Sequence, residues 1–238
     1  MHTVIHIYGN DRIEFLQGLS TTNLNQGQSH MSCFCNGKGR VIVDVYMILL
    51  ATKVTMVVKT SMADILINHI KKYKIIADVN WDLQECITTL QSLNEHSLSM
   101  HYPLGPQLYI TPKDNSTLTT KDDGFHTEHY VTITPETSEK HLPQSLGYDA
   151  FSMIDLKKGC FLGQEVITRL TRRGTLKHKL FQLNLFPCSI GDELLVDDRP
   201  VGSIVQQNEY TYAILAKDTA RAFHAQHGQI NIIKCLIS

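Results

Sequence analysis

The chain of 238 residues has few cysteines and lacks long hydrophobic runs. The apolar run VIVDVYMILL, residues 41–50, is interrupted by Asp44 and is shorter than the roughly 20 residues of a membrane span. No apolar signal-peptide segment follows Met1-His2-Thr3, and six cysteines do not reach the density of a small disulfide-stapled secreted domain. We therefore expect a cytoplasmic protein with reduced thiols and no membrane span.

The chain also lacks an excess of charge, because 22 lysines and arginines stand against 23 aspartates and glutamates. A near-neutral protein with few aromatic residues beside its basic segment is not typical of nucleic-acid binding, so direct tRNA binding is disfavoured. An apolar content of 42% is enough for a real core. One segment is different, since residues 156–180 contain seven lysines and arginines and a single carboxylate, Glu165.

Hydrophobic periodicity predicts an α+β fold. A short strand, IHIY, leads through an N-cap at Asn10 or Asp11 into a helix, and NGKG predicts a hairpin between HMSCFC and RVIVDVYMILL. The strand KVTMVVK, the helix SMADILINHIKKY and the β-rich stretch KIIADVNW follow. Between about 91 and 127 the sequence predicts loops around one short strand, QLYIT.

The pattern changes near Lys177 to short β-rich runs at close spacing, separated by Gly, Pro, Asp and Asn. Such spacing predicts a small C-terminal antiparallel β-barrel after the mixed antiparallel sheets and helices. We therefore predict two domains, residues 1–176 and 177–238. The basic segment lies at their junction, where ligand clefts commonly form.

Within the basic segment, GQEVITRLTRRG predicts a short helix that begins near Gly163 and has Gly174 as its C-cap. Cys160 would precede its N-terminus and follow two lysines, and both features favour a thiolate. The alternative is that Cys160 is a small buried hydrophobic residue, with the arginines on an ordinary solvated face. Gln164 and Glu165 would then only cap the first helical turn.

The stretch KGCFLGQEVITR resembles the K-G-C-[YF]-x-G-Q-E-x-x-x-R signature of YgfZ-type proteins, folate-binding relatives of the glycine-cleavage T-protein, an aminomethyltransferase. The N-terminal GNDRIEFLQGLSTTNL, the hairpin NGKGRVIVDV and the passage IKKYKIIADV are also similar to segments of that family. LPQSLGYD at 142–149 resembles the stretch that leads into the signature. The resemblance therefore extends over most of the chain.

This resemblance implies an aminomethyltransferase-like folate-binding fold, tetrahydrofolate or a derivative as cofactor, and Cys160 as the chemically active residue. It also implies a role in the assembly or upkeep of iron–sulfur proteins, including radical enzymes that modify tRNA. Glycines and an amide suit a flat pterin, and cations suit a polyglutamate tail. The implied folate-binding residues are Lys158, Gly159, Gln164, Glu165, Arg169, Arg173, Asp44 and Gln144.

Two departures from the family pattern bear on mechanism. The chain is short for the family, and we expect the loss to lie between about 85 and 140, which would trim the folate-binding part. The T-protein has two adjacent acidic residues after its hairpin glycine, whereas this chain has Val43-Asp44. Asp44 could face the pocket or, as an ordinary strand residue, the solvent. Many relatives also have Glu where this chain has Gln144.

Two functions remain open at this point. The first is a tetrahydrofolate-binding accessory factor for iron–sulfur proteins, and the second is a folate-dependent aminomethyltransferase or demethylase. The loss of one acidic residue disfavours the second, because amine transfer needs a carboxylate that organises the attacking nitrogen. We predict no metal site, since Cys33-x-Cys35 stands alone in a strand and favours ordinary packing.

Overall fold

The computed structural model describes residues 2–27, 29–89, 98–100, 108–112, 130–174, 176–184, 186–218 and 232–236. The larger of two sheets contains β1 His2–Tyr8, β2 Ser29–Cys35, β3 Val41–Leu49, β4 Val54–Lys59, β5 Asn80–Thr89, β6 Leu98–Met100 and β7 Leu108–Pro112. Its order is β2-β3-β4-β1-β5-β7-β6, and neighbouring strands are antiparallel. The hairpin predicted from the Asn-Gly turn is thus confirmed, with residues 36–40 joining β2 to β3.

Helices α1 Arg12–Leu19 and α2 Ala63–Tyr73 supply apolar side chains to the core. Leu16 and Leu66 are fully buried, and so are Ile5 and Ile7 of β1. Complete burial of one such side chain contributes about 1.5–3 kcal/mol. Single turns of 3-10 helix at Thr60–Met62 and Pro143–Leu146 complete this part of the fold.

The predicted β-rich stretch KIIADVNW is a strand only at its end. Residues 75–79 lack regular structure, and β5 begins at Asn80. Ile75 and Ile76 are 85% and 96% exposed, so their β-propensity is not accompanied by burial. β-Propensity largely reflects packing on a half-buried surface, and this segment has no such surface to pack on.

The C-terminal strands form a second antiparallel sheet of β8 His178–Leu183, β9 Glu193–Val196, β10 Arg199–Gln207, β11 Thr211–Ala216 and β12 Ile232–Cys235. Its order, β12-β8-β11-β10-β9, leaves β12 and β9 as edges. Among the described residues the sheet therefore does not close into the predicted barrel. Leu180 and Ile214 of this sheet pack in the same core cluster as the larger sheet. The boundary at residue 176 stays a prediction.

Helix α3, Gln164–Arg173, has the predicted limits. Gly163 at its N-cap and Gly174 at its C-cap both have left-handed backbone conformations, with φ of 84° and 63°. Ile167 is fully buried and joins the core, whereas the arginines are exposed. In the described part of the chain no helix is long and apolar enough to cross a membrane.

Two buried histidines make the stability of this fold dependent on pH. Burial, together with positive neighbours such as Lys72 and Arg40, lowers the pKa of His69 and of His141 to about 4. Neither Nε2 atom has a hydrogen-bond partner within the described residues. Both rings are therefore neutral in the folded chain near pH 6, where an unfolded chain begins to bind protons at these positions.

We expect the free energy of unfolding to fall as the pH decreases from about 6.5 to about 4. Each histidine contributes at most about 1.4 kcal/mol per pH unit, because only the unfolded chain gains the proton. Urea denaturation of wild type and His69→Phe across this range measures the effect. The variant should show a shallower pH slope below 6.5 and the same slope as wild type above 7.5. Equal slopes throughout would contradict the assignment.

Candidate functional site around helix α3

The signature loop 153–163 is fastened to α1 and to the chain that follows it. Asp155 N donates to Thr21 O at 2.8 Å, and Leu162 N donates to Gly18 O at 3.0 Å. The Thr21 hydroxyl donates to Met153 O at 2.5 Å. These bonds satisfy backbone groups of a segment without regular structure and fix its path. The loop is therefore a defined platform for Cys160.

Lys158 anchors the middle of this loop. Its Nζ donates to Ser20 O at 2.5 Å, to Thr22 O at 2.9 Å and to the Ser20 hydroxyl at 3.3 Å. Burial lowers the pKa of Lys158 to about 8, so the ammonium is still mostly charged near neutral pH. The ammonium of Lys158 faces backbone carbonyls inside the protein. A cation that binds the glutamate tail of a folate would instead face the solvent.

The entry of α3 is set by a close approach between Gly163 and the β2–β3 turn. A Cβ at Gly163 would lie 2.6 Å from Asn36 O and 2.9 Å from Gly39 Cα. A Cβ at Gly39 would lie 3.2 Å from side-chain atoms of Val166 and Ile167. Only glycine permits this contact, because the obstructing atoms at Gly163 belong to backbone. Gly159 has a φ of 103° and open space around it, so its requirement is conformational.

One face of α3 and the end of the signature loop form an open groove of about 630 Å³. The structure brings five of the predicted site residues together here: Cys160, Gln164, Glu165, Arg169 and Arg173. Cys160 is exposed. The alternative hypothesis, that Cys160 is a small buried hydrophobic residue, is therefore wrong. The groove thus combines a reachable thiol, one carboxylate and several guanidinium groups.

Gln164 has a structural function within this groove. Its Oε1 accepts a hydrogen bond from Phe161 N at 3.2 Å, and its Nε2 donates to Leu156 O at 3.4 Å. The amide therefore closes the loop around Cys160 from the first turn of α3. Glu165 is exposed in the same turn, where the helix dipole favours a carboxylate.

Gln144 lines a different cavity, on the other side of α3. Its Nε2 donates to Ile167 O at 2.9 Å and to the Thr171 hydroxyl at 3.0 Å, which fixes the orientation of the amide. Its Oε1 is buried and has no hydrogen-bond partner among the described residues. The cavity measures about 280 Å³ and is also lined by Ile154, Leu156, Leu170, Leu176, Asp149, Thr171, Gly174 and Lys179.

Asp44 lies in the core and lines neither cavity. Its Oδ2 accepts from Tyr130 Oη at 2.5 Å and its Oδ1 accepts from Ile133 N at 2.7 Å. Burial raises the pKa of Asp44, while these two hydrogen bonds oppose the rise. The alternative of a solvent-facing Asp44 is therefore wrong. The carboxylate ties residues 130–133 to β3, which is a structural function.

Cys33 and Cys35 are buried in the core, with their sulfurs 4.0 Å apart. Both lie on one side of β2, as expected for residues two apart in a strand. The hydrogen bond with Cys33, together with burial, raises the pKa of Cys35 well above its usual value. Within the ranges that the structure describes, no group of three or more His, Cys, Asp or Glu side chains could hold a metal ion.

Sequence reasoning missed four residues that line the two cavities or hold a predicted site residue. Tyr130, which holds Asp44, is 86 positions away, and no local pattern connects the two. Leu176 and Lys179 line the second cavity, although Leu176 is the last residue of the predicted first domain and Lys179 belongs to the predicted C-terminal domain. Arg172 lines the groove beside Arg169 at the helical spacing of three, so the helix prediction itself was the available signal.

Comparison with known proteins finds relatives of two related kinds. A mitochondrial iron–sulfur cluster assembly factor IBA57 homologue of Pyricularia oryzae is 26% identical over 228 residues, covering 82% of this chain and 57% of that protein. The tRNA-modifying protein YgfZ of Blochmanniella pennsylvanica is 25% identical over 227 residues, covering 76% and 69%. This chain is similar to YgfZ- and IBA57-type proteins. It spans less than two thirds of the length of the first relative and slightly more of the second.

The fold of this YgfZ-type chain is that of an aminomethyltransferase. The glycine cleavage system aminomethyltransferase T from Bartonella henselae superposes with a TM-score of 0.64 at 11% identity, covering 90% of this chain and 76% of that one. No protein-family model matches the sequence. The resemblance to YgfZ-type proteins inferred from KGCFLGQEVITR is thus confirmed by relatives that match 82% and 76% of this chain.

In this YgfZ-type chain, Gly163→Ala should lower the free energy of unfolding by about 3 kcal/mol, because a left-handed backbone and a clash with Asn36 O act together. Gly174→Ala is the matched control at the other end of α3. It also has a left-handed φ, but its Cβ would meet nothing within 4 Å, so we expect a loss of about 1 kcal/mol. Urea denaturation measures both. Equal losses would contradict the contact.

Proposed function

We propose that this chain is a tetrahydrofolate-binding accessory factor that supports the assembly or maintenance of iron–sulfur proteins, including iron–sulfur-dependent enzymes that modify tRNA. The observation that carries this proposal is the groove that joins Cys160 with Gln164, Glu165, Arg169 and Arg173. The names of its relatives, an iron–sulfur cluster assembly factor and a tRNA-modifying protein, support the same class of function.

The cavity beside Gln144 fits a pterin. A pterin presents ring N–H and amino donors, and the buried Gln144 Oε1 is an acceptor in need of a donor. Four aliphatic side chains, Ile154, Leu156, Leu170 and Leu176, supply an apolar lining of the kind that surrounds flat cofactors. Gln144 would hold the ring and keep its Nε2 bonds to α3, which couple the cofactor to the helix.

The arginines of the groove would hold the glutamate tail. Arg169, Arg172 and Arg173 are exposed on one side of α3, and guanidinium groups bind carboxylates in bidentate fashion. Gly174 lines the pterin cavity, while its neighbour Arg173 lines the groove. The two sites are therefore adjacent at the C-terminal end of α3. Lys158, directed toward Ser20 and Thr22, positions the loop instead of binding the tail.

Cys160 would act in the groove as the reactive thiol, and Gly159 allows the backbone turn that presents it. We propose that its client is an iron–sulfur protein and that the chain acts in the cytoplasm. Direct tRNA binding is not part of the proposal, because the chain as a whole carries a net charge of -1.

The aminomethyltransferase alternative has less support. Methylene transfer to a folate nitrogen needs a carboxylate that can accept a proton or a hydrogen bond from the substrate. Both oxygens of Asp44 are already bonded within the core, to Tyr130 and Ile133. The carboxylates that line the two sites are Glu165 in the groove and Asp149 in the proposed pterin cavity. Neither lies on β3, the strand in which the T-protein has its acidic pair.

Calorimetric titration should detect binding of 5-formyltetrahydrofolate, and the triglutamyl form should bind more tightly than the monoglutamyl form. Gln144→Leu should weaken both forms at least about tenfold, because it removes the pterin acceptor. Arg173→Glu should remove the advantage of the triglutamyl form and leave monoglutamate affinity nearly unchanged. Failure of both forms to bind at high micromolar concentration would end the folate proposal.

Two control variants separate binding from general damage. Gln182→Leu changes an equally buried glutamine with an unpartnered Oε1 that lines neither cavity. Lys217→Glu also replaces a positive charge with a negative one, starting from lysine instead of arginine. Lys217 is exposed and lies outside both cavities. Folate affinity should match wild type in both. An equal loss in Gln182→Leu would show that stability, and not a pterin contact, accounts for the effect of Gln144→Leu.

Alkylation of the native chain should modify Cys160 faster than Cys188, whose sulfur is half-buried and whose pKa is raised by burial. Cys33 and Cys35 should react only after unfolding, because both are fully buried. Mass spectrometry of peptides after timed iodoacetamide treatment gives the order. Reaction of Cys160 no faster than that of Cys188 or Cys235 would contradict a reactive thiol.

Cys160→Ser should fold normally, since an exposed side chain is replaced by one of similar size. It should nevertheless fail to restore iron–sulfur-dependent tRNA modification in cells that lack their own YgfZ-type protein. The control is Cys235→Ser, an exposed cysteine outside the groove, which should restore it fully. Full restoration by Cys160→Ser would leave the cysteine without a chemical role.

A further inference from the structure

Ile75 and Ile76 are the most exposed large apolar side chains in the described part of the chain, at 85% and 96%. They lie between α2 and β5, in a segment without regular structure. Single exposed apolar residues are common on protein surfaces. Two adjacent isoleucines with almost complete exposure are not, and such a patch indicates an interaction surface. We name residues 74–77 the isoleucine tip.

The isoleucine tip is held firmly at its base. On the α2 side, Lys74 N donates to Ile70 O at 3.0 Å, which is the last helical hydrogen bond of α2. On the other side, Asp78 N donates to the Asp11 carboxylate at 2.7 Å, and Asn10 N donates to the Asp78 carboxylate at 3.0 Å. Val79 is fully buried. The isoleucines are therefore presented by an anchored turn, which lowers the entropy lost when a partner binds them.

Gly9 makes this anchoring possible. A Cβ at Gly9 would lie 1.9 Å from Asp78 O, and its φ of 104° is accessible mainly to glycine. The start of α1 and the end of the isoleucine tip consequently pack backbone against backbone. Exposure of the two isoleucines is thus a property of a closely built corner of the fold.

Positive charge lies on the α2 side of the isoleucine tip. Lys71 and Lys72 are exposed in the last turn of α2, and Lys74 follows them. The Lys74 ammonium lies 5.3 Å from the Trp81 ring centre and 3.3 Å from Asn80 Oδ1. On the other side of the tip, the carboxylates of Asp11 and Asp78 accept hydrogen bonds from backbone N–H groups. The complementary surface is an apolar recess whose rim is acidic where it meets the end of α2.

A protein recess fits these features better than a lipid surface. Loops that enter a bilayer interface are enriched in exposed tryptophan and other large side chains. Here Trp81 is partly buried beneath Lys74, and the exposed residues are β-branched aliphatics. Their side chains have few rotamers, so they suit a shaped pocket.

We infer that the isoleucine tip is a docking site for a partner protein that receives Ile75 and Ile76 in an apolar recess bordered by aspartate or glutamate. None of its residues lines the groove or the pterin cavity beside α3. The chain therefore has two separate surfaces, one for a small ligand and one for a protein. The inference stands whether or not folate binds.

The test places the photo-crosslinking residue p-benzoylphenylalanine at position 76 of the full chain, in cells whose defect the chain corrects. The matched control places it at Asp218, which is also exposed and lies outside the tip. We expect one protein adduct from position 76 that is missing from position 218, and a crosslinked peptide rich in aliphatic and acidic residues. Absence of an adduct, or a peptide without acidic residues nearby, would overturn the inference.

The partner identified in this way is then purified, and its affinity for the chain is measured. Ile75→Ser/Ile76→Ser should weaken binding at least about tenfold. Lys71→Glu/Lys72→Glu should weaken it at low salt and less at high salt. All four side chains are exposed, so both double variants should keep the wild-type thermal stability.

Three other outcomes would each contradict a protein partner. One is an adduct between two copies of the chain, which would show that the tip binds another copy and not a different protein. Another is an adduct within a single copy. The third is binding of wild type, but not of Ile75→Ser/Ile76→Ser, to vesicles of phosphatidylcholine and phosphatidylserine. Unchanged affinity of the purified partner for both double variants would also overturn the inference.

Discussion

The close contact between Gly163 and the β2–β3 turn is the constraint on which the site depends. It seats the first turn of α3 against Asn36 and Gly39 at a distance that no side chain would allow. The hairpin belongs to the larger sheet, so the rigid sheet sets the direction of α3. The groove and the cavity beside Gln144 are the two sides of a helix held in this way.

Helix α3 separates two chemical environments. One side has the exposed thiol of Cys160 and the arginines, and the other has aliphatic side chains and the buried amide of Gln144. The strong division of polar and apolar residues within ten residues makes this possible. A cofactor with a flat ring and an anionic tail needs both environments near each other, which is the physical basis of the proposed function.

Local patterns were sufficient to predict the hairpin, the limits of α3 and the exposure of Cys160. Each rests on neighbouring residues: Asn36-Gly37 for the turn, Gly163 and Gly174 for the helix ends. The partners of Asp44 and Lys158 could not be predicted, because Tyr130 and Ser20 reach them from distant parts of the chain. Closure of the C-terminal sheet also depends on long-range pairing, and the strands that the structure describes form an open sheet instead of the expected barrel.

The same limit explains the isoleucine tip. β-Branched residues after α2 favoured a strand from sequence, but strand formation needs a neighbour to pair with. At Ile75 and Ile76 the corner is instead fixed by Gly9 and Asp78, and the chain turns before β5 begins. Burial of apolar residues is thus decided by which surfaces the topology brings together.

At Lys158 the geometry of the charged group matters as much as its charge. Three oxygens, from Ser20 and Thr22, surround its Nζ in the interior of the loop. A tetrahedral ammonium can direct its hydrogens to three acceptors at once, whereas the guanidinium of arginine is planar and broader. Exchange of one basic residue for the other at this position would preserve charge but not the directions of the donors. The lysine of the signature is therefore a geometric requirement for presenting the neighbouring thiol.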